Sequence, residues 1–527
     1  MTEGVWRWRR AAPVRTLDRV IVAGLAGAGV VSMLRFADWW FRAEHVAHPV
    51  LYLLLTGALW YGIGRIVLRW IDLLGVERPE HVAPEDGLEV AIFTTSTPGE
   101  PLAMYERTLA ACREVRYPHT TYLLDETGDP RYREVAEKHG AELLDMRDVP
   151  GAKAGNINRA LELTDEEFVL VLDPDHVPFP NFLDRVLGHF RDPEVGFVQV
   201  AQAYYNQDRS FVARSAAEQT YSFYGPTMMG LHGHGANVAI GANCTFRREA
   251  LASIGGHGIG LAEDLVTAIR LHAEGWESIY VPEIVSRGLV PEDLGSFYAQ
   301  QLKWSRGVHE VLFRELPRAF GDLTWRQRLA YLAIGTYFTG GLTTLLYLVL
   351  PYLYLWTGAQ PAAMPFGEFV VTGGSLGIVA VALYLYAQRW LCDPERERGT
   401  HLRAMTLKIA CWPVHLTGWV LAVLDVEVPY VATAKERRRG RFLRLAWPHL
   451  AVAGLYLVTV GHVVWRRLAV VSEARLLLTS EAVWAMVGFA TLALVQTGGG
   501  IYAAWEARDL PDVDPWGDVP SPEAIDA

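Results

Sequence analysis

Two carboxylates one residue apart, Asp173 and Asp175, close the run Val169-Leu170-Val171-Leu172-Asp173-Pro174-Asp175-His176. The residues before them are apolar, rich in β-branched side chains and too few for a helix, so they read as a strand buried on both faces. Ligands bind at strand ends in an open α/β sheet. Two ionised Asp at such an end are costly to bury unless a cation sits nearby. The pattern points to a divalent metal and, through it, a nucleotide diphosphate. A strand-to-turn cap is the plainer explanation of a lone Asp-x-Asp, and the balance shifts only with the groups around it.

Five such groups accompany the pair. A strand-to-helix junction ends in Thr97-Pro98-Gly99-Glu100-Pro101, a place that can hold a nucleoside and equally a surface turn. Leu123-Leu124-Asp125-Glu126 repeats the strand that ends in a carboxylate. Lys153-Ala154-Gly155-Asn156 opens a helix with small residues that let backbone approach an anion, and Lys153 can neutralise a phosphate. Ala262-Glu263-Asp264 starts another helix after a glycine-rich stretch. Its acids either cap that helix or supply in Asp264 a general base for a sugar hydroxyl. Gln300-Gln301-Leu302-Lys303-Trp304 mixes amide, cation and indole on a helix, where Trp304 either sits at the membrane surface or stacks on a sugar ring.

These groups need a scaffold, and the apolar pattern supplies one. Strand-like runs at 90–94, 121–124, 168–172, 195–200 and 278–281 alternate with helical stretches, predicting a mostly parallel sheet with helices on its faces. On either side lie long apolar segments, at 20–41 and 50–70 before the domain and at 329–356, 369–386, 447–465 and 483–505 after it. Each is long enough, at about 20 residues, to cross a bilayer. The segment 407–424 would, if it crossed, turn the basic run Lys435 to Arg441 outward against the positive-inside bias, so it is expected along the inner surface. The expected division is 1–78 (basic leader and two spans), 79–317 (cytosolic α/β domain), 318–505 (interfacial helices, a loop and four spans) and 506–527 (acidic tail). A net charge of −11 argues against a nucleic-acid partner, and four Cys without a Cys-x-x-Cys pair give neither a disulfide framework nor a zinc site.

Taken together, Lys153 to Asn156, Asp173 to Pro178, Ala262 to Asp264, Gln300 to Trp304 and Tyr430 to Lys435 resemble the processive membrane synthases of glycosyltransferase family 2, most closely bacterial cellulose synthase catalytic subunits. The resemblance implies an α/β GT-A domain in the cytosol, inserted between α-helical transmembrane segments beside a translocating channel. It implies that Asp125 and Asp173 contact the nucleotide and that Asp175 holds Mg2+ or Mn2+. Lys153, Gln300 and Lys303 would face the diphosphate and Glu100 the nucleoside. Asp264 would be the catalytic base, with Trp304 and, more weakly, Cys244 at the acceptor. Tyr430 to Lys435, with Thr433 and Lys435 toward UDP, looks like the family's gating loop. Four departures stand out: Lys303 where the family has Arg, Ala262 where it has Thr, and Tyr430 and Ala432 where it has Phe and Val. The stretch after Trp505 is too short for the cyclic-di-GMP-binding barrel many cellulose synthases carry.

The expected activity is inverting polymerisation of a sugar from a UDP-sugar, UDP-glucose into a β-glucan such as cellulose, with the polymer passed across a bacterial inner membrane. Its partners would be the donor, the growing polysaccharide and membrane lipid; envelope partner proteins are left open. Three alternatives stand beside it: another polymer such as hyaluronan, chitin or a mixed glucan, single-sugar transfer to a polyprenyl phosphate, and a non-catalytic membrane scaffold.

Overall fold

The computed structural model describes residues 5–429, 442–469 and 480–506, with Val519 and Ile525. Its soluble part is built on a seven-stranded sheet in the spatial order Glu142–Asp145, Thr120–Asp125, Val90–Ser96, Phe168–Val171, Cys244–Arg247, Val195–Val200, Glu277–Val281. The first four strands are mutually parallel, Cys244–Arg247 runs antiparallel to both its neighbours, and the last two are parallel again. All five expected strands are present. Glu142–Asp145 and Cys244–Arg247 were not anticipated.

Burial on both faces explains why Val90 to Phe93 and Phe168 to Leu172 are wholly apolar. Ala91, Phe93, Val169 and Val171 enter one core, and Val90, Ile92, Phe168, Leu170 and Leu172 enter a second on the opposite face. Each such side chain contributes roughly 2 kcal/mol by leaving water. Parallel strands covered on both faces by helices need this composition.

Among the described residues, six helices are long and apolar enough to cross a membrane: Thr16–Trp40 and Pro49–Leu74 before the domain, then Trp325–Thr357, Phe366–Trp390, Trp447–Arg466 and Ala482–Glu506. The protein is a multi-pass membrane protein with the expected two-plus-four arrangement. The 407–424 segment falls in a helix pair, Leu402–Ala410 and Trp412–Val423, bent by 47°. One arm packs on Phe211–Ser222 and on the last candidate span, the other on Leu294–Glu310 and on the third, so the pair touches both the α/β domain and the membrane helices.

The basic leader is sewn into the domain. Arg9–Arg10 pairs antiparallel with Glu283–Ile284, Trp8 Nε1 donates to Glu283 Oε2 at 2.9 Å, and Trp6 is buried beside Tyr205 and Phe179. At the far end of the second helix, Glu77 N donates to the Met229 carbonyl at 3.1 Å. Both ends of this helix pair therefore meet the α/β domain, which requires an even number of crossings between them.

Candidate active site

Parallel pairing delivers the acids to one edge. Ser96 is in register with Asp125 and Phe93 with Val171, so the strand ends carrying Ser96, Asp125 and Asp173 open on the same side of the sheet. The antiparallel strand begins where its neighbour stops, Cys244 opposite Val171, and so brings the loop Gly241-Ala242-Asn243 to that edge as well. Gln199, fully buried, braces this loop by donating to the carbonyls of Ala242 (2.9 Å) and Asn243 (3.1 Å) and accepting from Ile240 N (3.0 Å). Nothing in the local sequence marks Gln199 for that role.

Lys153 is the hub. Near the start of helix Ala152–Leu163, its ammonium donates to Asp173 Oδ1 and to the Gly241 carbonyl. Burial opposes its charge, but Asp173, Glu263 and Asp264 outweigh burial and raise its pKa. The sequence placed Lys153 at a diphosphate; here the cation is already shared between a carboxylate and a carbonyl. Gly241 has φ +75°, and a Cβ there would lie 3.2 Å from Asp264 Oδ2, so the absence of a side chain lets Asp264 close over the loop.

Asp264 stands in the first turn of helix Glu263–Ala273, its Oδ1 accepting from Leu265 N at 2.8 Å. Burial first, then the adjacent Glu263 carboxylate, pushes its pKa up to about 7. Burial also raises Glu263, opposed by Lys153 and Lys303. A carboxyl so poised can take a proton near neutral pH.

Asp173, Asp175 and His176 each present an oxygen or nitrogen within 4.8 Å of the others, a donor set suited to a divalent cation. Asp175 is buried, and its Oδ2 accepts from Leu289 N at 3.2 Å. His176 is buried with neither ring nitrogen in a hydrogen bond, 3.5 Å from Asp175 Oδ1. A buried ring nitrogen without a hydrogen bond, beside two carboxylates, fits the donor set a divalent cation takes. The paired acids point to a metal in the sequence, and the resemblance puts it on Asp175; neither includes His176, whose signal is its place directly after the pair.

The other expected residues distribute unevenly. The Asp125 carboxylate accepts from Ser96 Oγ (2.6 Å), Thr127 N (3.0 Å), Thr127 Oγ1 (2.7 Å) and Gly128 N (3.0 Å), so it holds its own turn at the site's edge. Glu100 accepts from Thr97 N and from the Tyr105 hydroxyl, closing the loop after its strand. Cys244 is 1% exposed within the sheet, in electrostatic contact with Asp264 and Lys153. Gln300, Lys303 and Trp304 lie together on Leu294–Glu310, with Lys303 in electrostatic contact with Glu263 and Trp304 38% exposed. The next residue along, Ser305, is anchored to the His415 carbonyl of the bent helix pair at 3.1 Å. Thr433 and Lys435 lie outside the described residues.

Residues 168–385 match the model of "Glycosyl transferase family group 2". A putative cellulose synthase 2 of Komagataeibacter xylinus is 29% identical over 361 residues, covering 65% of this chain and 24% of that protein. A UDP-forming cellulose synthase catalytic subunit of Pseudomonas fluorescens is 30% identical over 286 residues, covering 53% of this chain and 39% of that one. The chain thus spans from about a quarter to well under half the length of these relatives. A solved mannosyltransferase of Pyrobaculum calidifontis, in complex with GDP-Man and Mn2+, has a TM-score of 0.49 at 19% identity, covering 72% of this chain and all of that one. The match to glycosyl transferase family group 2 thus falls on residues 168–385, in an α/β domain set among helices long and apolar enough to cross a membrane, and the chain is similar to bacterial cellulose synthase catalytic subunits.

Proposed function

We propose that the protein is an inverting, processive glycosyltransferase that takes UDP-glucose and lengthens a β-glucan, with its α/β domain in the cytosol and its helices in a bacterial inner membrane. The observation that carries this reading is the gathering of Asp173, Asp175, His176, Lys153 and Asp264 at one sheet edge, next to a helix that presents Lys303 and Trp304.

In the proposed step the acceptor hydroxyl oxygen attacks the anomeric carbon of the donor from the side opposite UDP. The new glycosidic C–O bond forms as the bond from that carbon to the diphosphate oxygen breaks. The hydroxyl proton goes to Asp264, whose pKa of about 7 suits a group that must be ionised to receive it. Asp173, Asp175 and His176 would hold Mg2+ or Mn2+, and the chemistry such an ion supplies is neutralisation of the diphosphate. Lys303 adds positive charge on the opposite flank, as a single ammonium rather than the two-pronged grip of an arginine. Trp304 offers an indole face to the acceptor ring.

Purified protein in lipid, given UDP-glucose, UDP-N-acetylglucosamine or UDP-glucuronate with Mn2+, with and without polyprenyl phosphate, tests the reading. A long polymer made from UDP-glucose is expected. A polymer from another donor would change the sugar, a lipid-linked monosaccharide would replace polymerisation by single transfer, and no turnover would refute catalysis.

A further inference from the structure

The second membrane helix, Pro49–Leu74, carries Arg65 and Arg69 one turn apart on one face. Opposite them the third span, Trp325–Thr357, changes from α-helix to a tighter turn at Tyr337–Thr339. The Arg65 guanidinium lies over the Tyr337 ring at 5.4 Å, and Lys408 Nζ, from helix Leu402–Ala410, lies over the same ring at 4.0 Å. Arg65 also donates to the Ala333 carbonyl. Arg69 is close enough to Arg65, Tyr337 and Tyr384 to feel each electrostatically, and Asp72 is the acid nearest it. The same carboxylate also feels Arg65, so one acid is shared between the two arginines.

Helical rise puts Arg69 about 8 Å and Arg65 about 14 Å from the domain-facing end of their helix, the depth of one leaflet's headgroups and upper acyl chains. A charge at that depth needs an opposite charge or water. A tyrosine face and one carbonyl offset part of the cost, and three cations against one acid leave an excess of positive charge. Arg65, Arg69, Lys408 and Tyr337 are each half-buried, so each keeps part of its surface uncovered by protein.

We infer that Arg65, Arg69 and Lys408 form a site for a phosphate group, presented by an anionic membrane lipid between the second span, the break in the third, and helix Leu402–Ala410. Two guanidinium forks and one ammonium match a phosphate's several oxygens, and basic pockets between membrane helices recognise headgroups by this chemistry. Helix Leu402–Ala410 runs on into Trp412–Val423, which packs on Leu294–Glu310, so the site is mechanically continuous with the helix bearing Lys303 and Trp304.

The test uses the full chain in nanodiscs of phosphatidylcholine alone, of phosphatidylcholine with phosphatidylglycerol, and of that mixture with added inorganic phosphate, with lipid retained after mild delipidation counted by native mass spectrometry. Phosphatidylglycerol should be retained at least tenfold over phosphatidylcholine. Arg69→Gln with Lys408→Gln should abolish that preference. Arg403→Gln, which removes an exposed charge from the same helix outside the cluster, should leave it intact. Equal retention of the two lipids, or equal loss in the double and control variants, would overturn the site. Inorganic phosphate that displaces the retained lipid would overturn the lipid source. If the double variant does not fold, the wild-type preference between lipids and the charge-conserving Arg69→Lys variant, expected to keep it, decide the matter.

Discussion

Lys153 and Asp173 form an ion pair at the mouth of the sheet, and the same ammonium holds the Gly241 carbonyl, so one lysine ties the strand that carries the paired acids to the loop beneath Asp264. The acids of this site are kept together by a cation the protein itself provides. Removing that cation takes away the one ammonium shown to act on Asp173, Glu263 and Asp264 together.

Lys153→Met should therefore destabilise the protein by about 2 kcal/mol, below the cost of breaking a fully buried pair because Asp173 is partly exposed. Thermal unfolding in detergent or lipid checks this. Adding Asp173→Asn to Lys153→Met should recover part of the loss.

Asp264→Asn should lower sugar transfer by roughly a thousandfold, the scale of a lost general base, with UDP affinity nearly unchanged. Initial rates and calorimetry on the same preparation separate the two. An equal loss of both would show Asp264 binding rather than accepting a proton.

The pH dependence follows from the raised pKa of Asp264. As a base it must be ionised, so kcat/KM should fall about tenfold per pH unit below about 7. Stability runs the other way. The folded state favours the protonated acid, and that advantage is complete below the ordinary carboxylate range and lost as pH rises through about 7. Asp264→Asn, which keeps a neutral side chain, should unfold at a higher temperature than wild type above pH 7, the sign of a site that trades stability for chemistry.

His176 gives a sharper test of the cation site. His176→Ala should weaken the Mn2+ dependence of the rate by roughly 10- to 100-fold, as loss of a ligand or its support does. Gly288→Ala should do the same with no polar group removed, because a Cβ there would lie 2.5 Å from His176 Cε1 and must turn the ring. A Mn2+ titration that moves with neither variant would leave His176 a packing residue.

Lys303→Arg should raise UDP affinity several-fold by restoring a two-pronged contact, and Lys303→Gln should lower kcat/KM by about 2 kcal/mol in transition-state terms. The pair of variants tells lost charge from lost geometry.

Much of this architecture is written in apolar pattern. The six spans and five of the seven strands follow from run length and period, because burial on two faces and immersion in lipid both demand long apolar stretches. Cys244–Arg247 escaped because its residues are mixed, and because Arg247, buried with its guanidinium donating to the carbonyls of Val195 and Phe190, satisfies itself in a way no local pattern announces. The leader read as a basic flank of a membrane helix, while Trp6 and Trp8 spend their rings and Nε1–H on the domain. Asp173, Asp264 and Lys153 were legible as a site, since their residue types and order are unusual together. The partner Lys153 chooses, the orphaned nitrogens of His176 and the brace supplied by Gln199 depend on contacts distant in sequence.

Calorimetric titration of the purified protein with UDP, in the presence and absence of Mn2+, reaches the central claim most directly. The account predicts uptake that needs the metal and is lost in Asp175→Asn while the fold persists. Absence of UDP binding with Mn2+ present, or binding indifferent to Asp175, would contradict it.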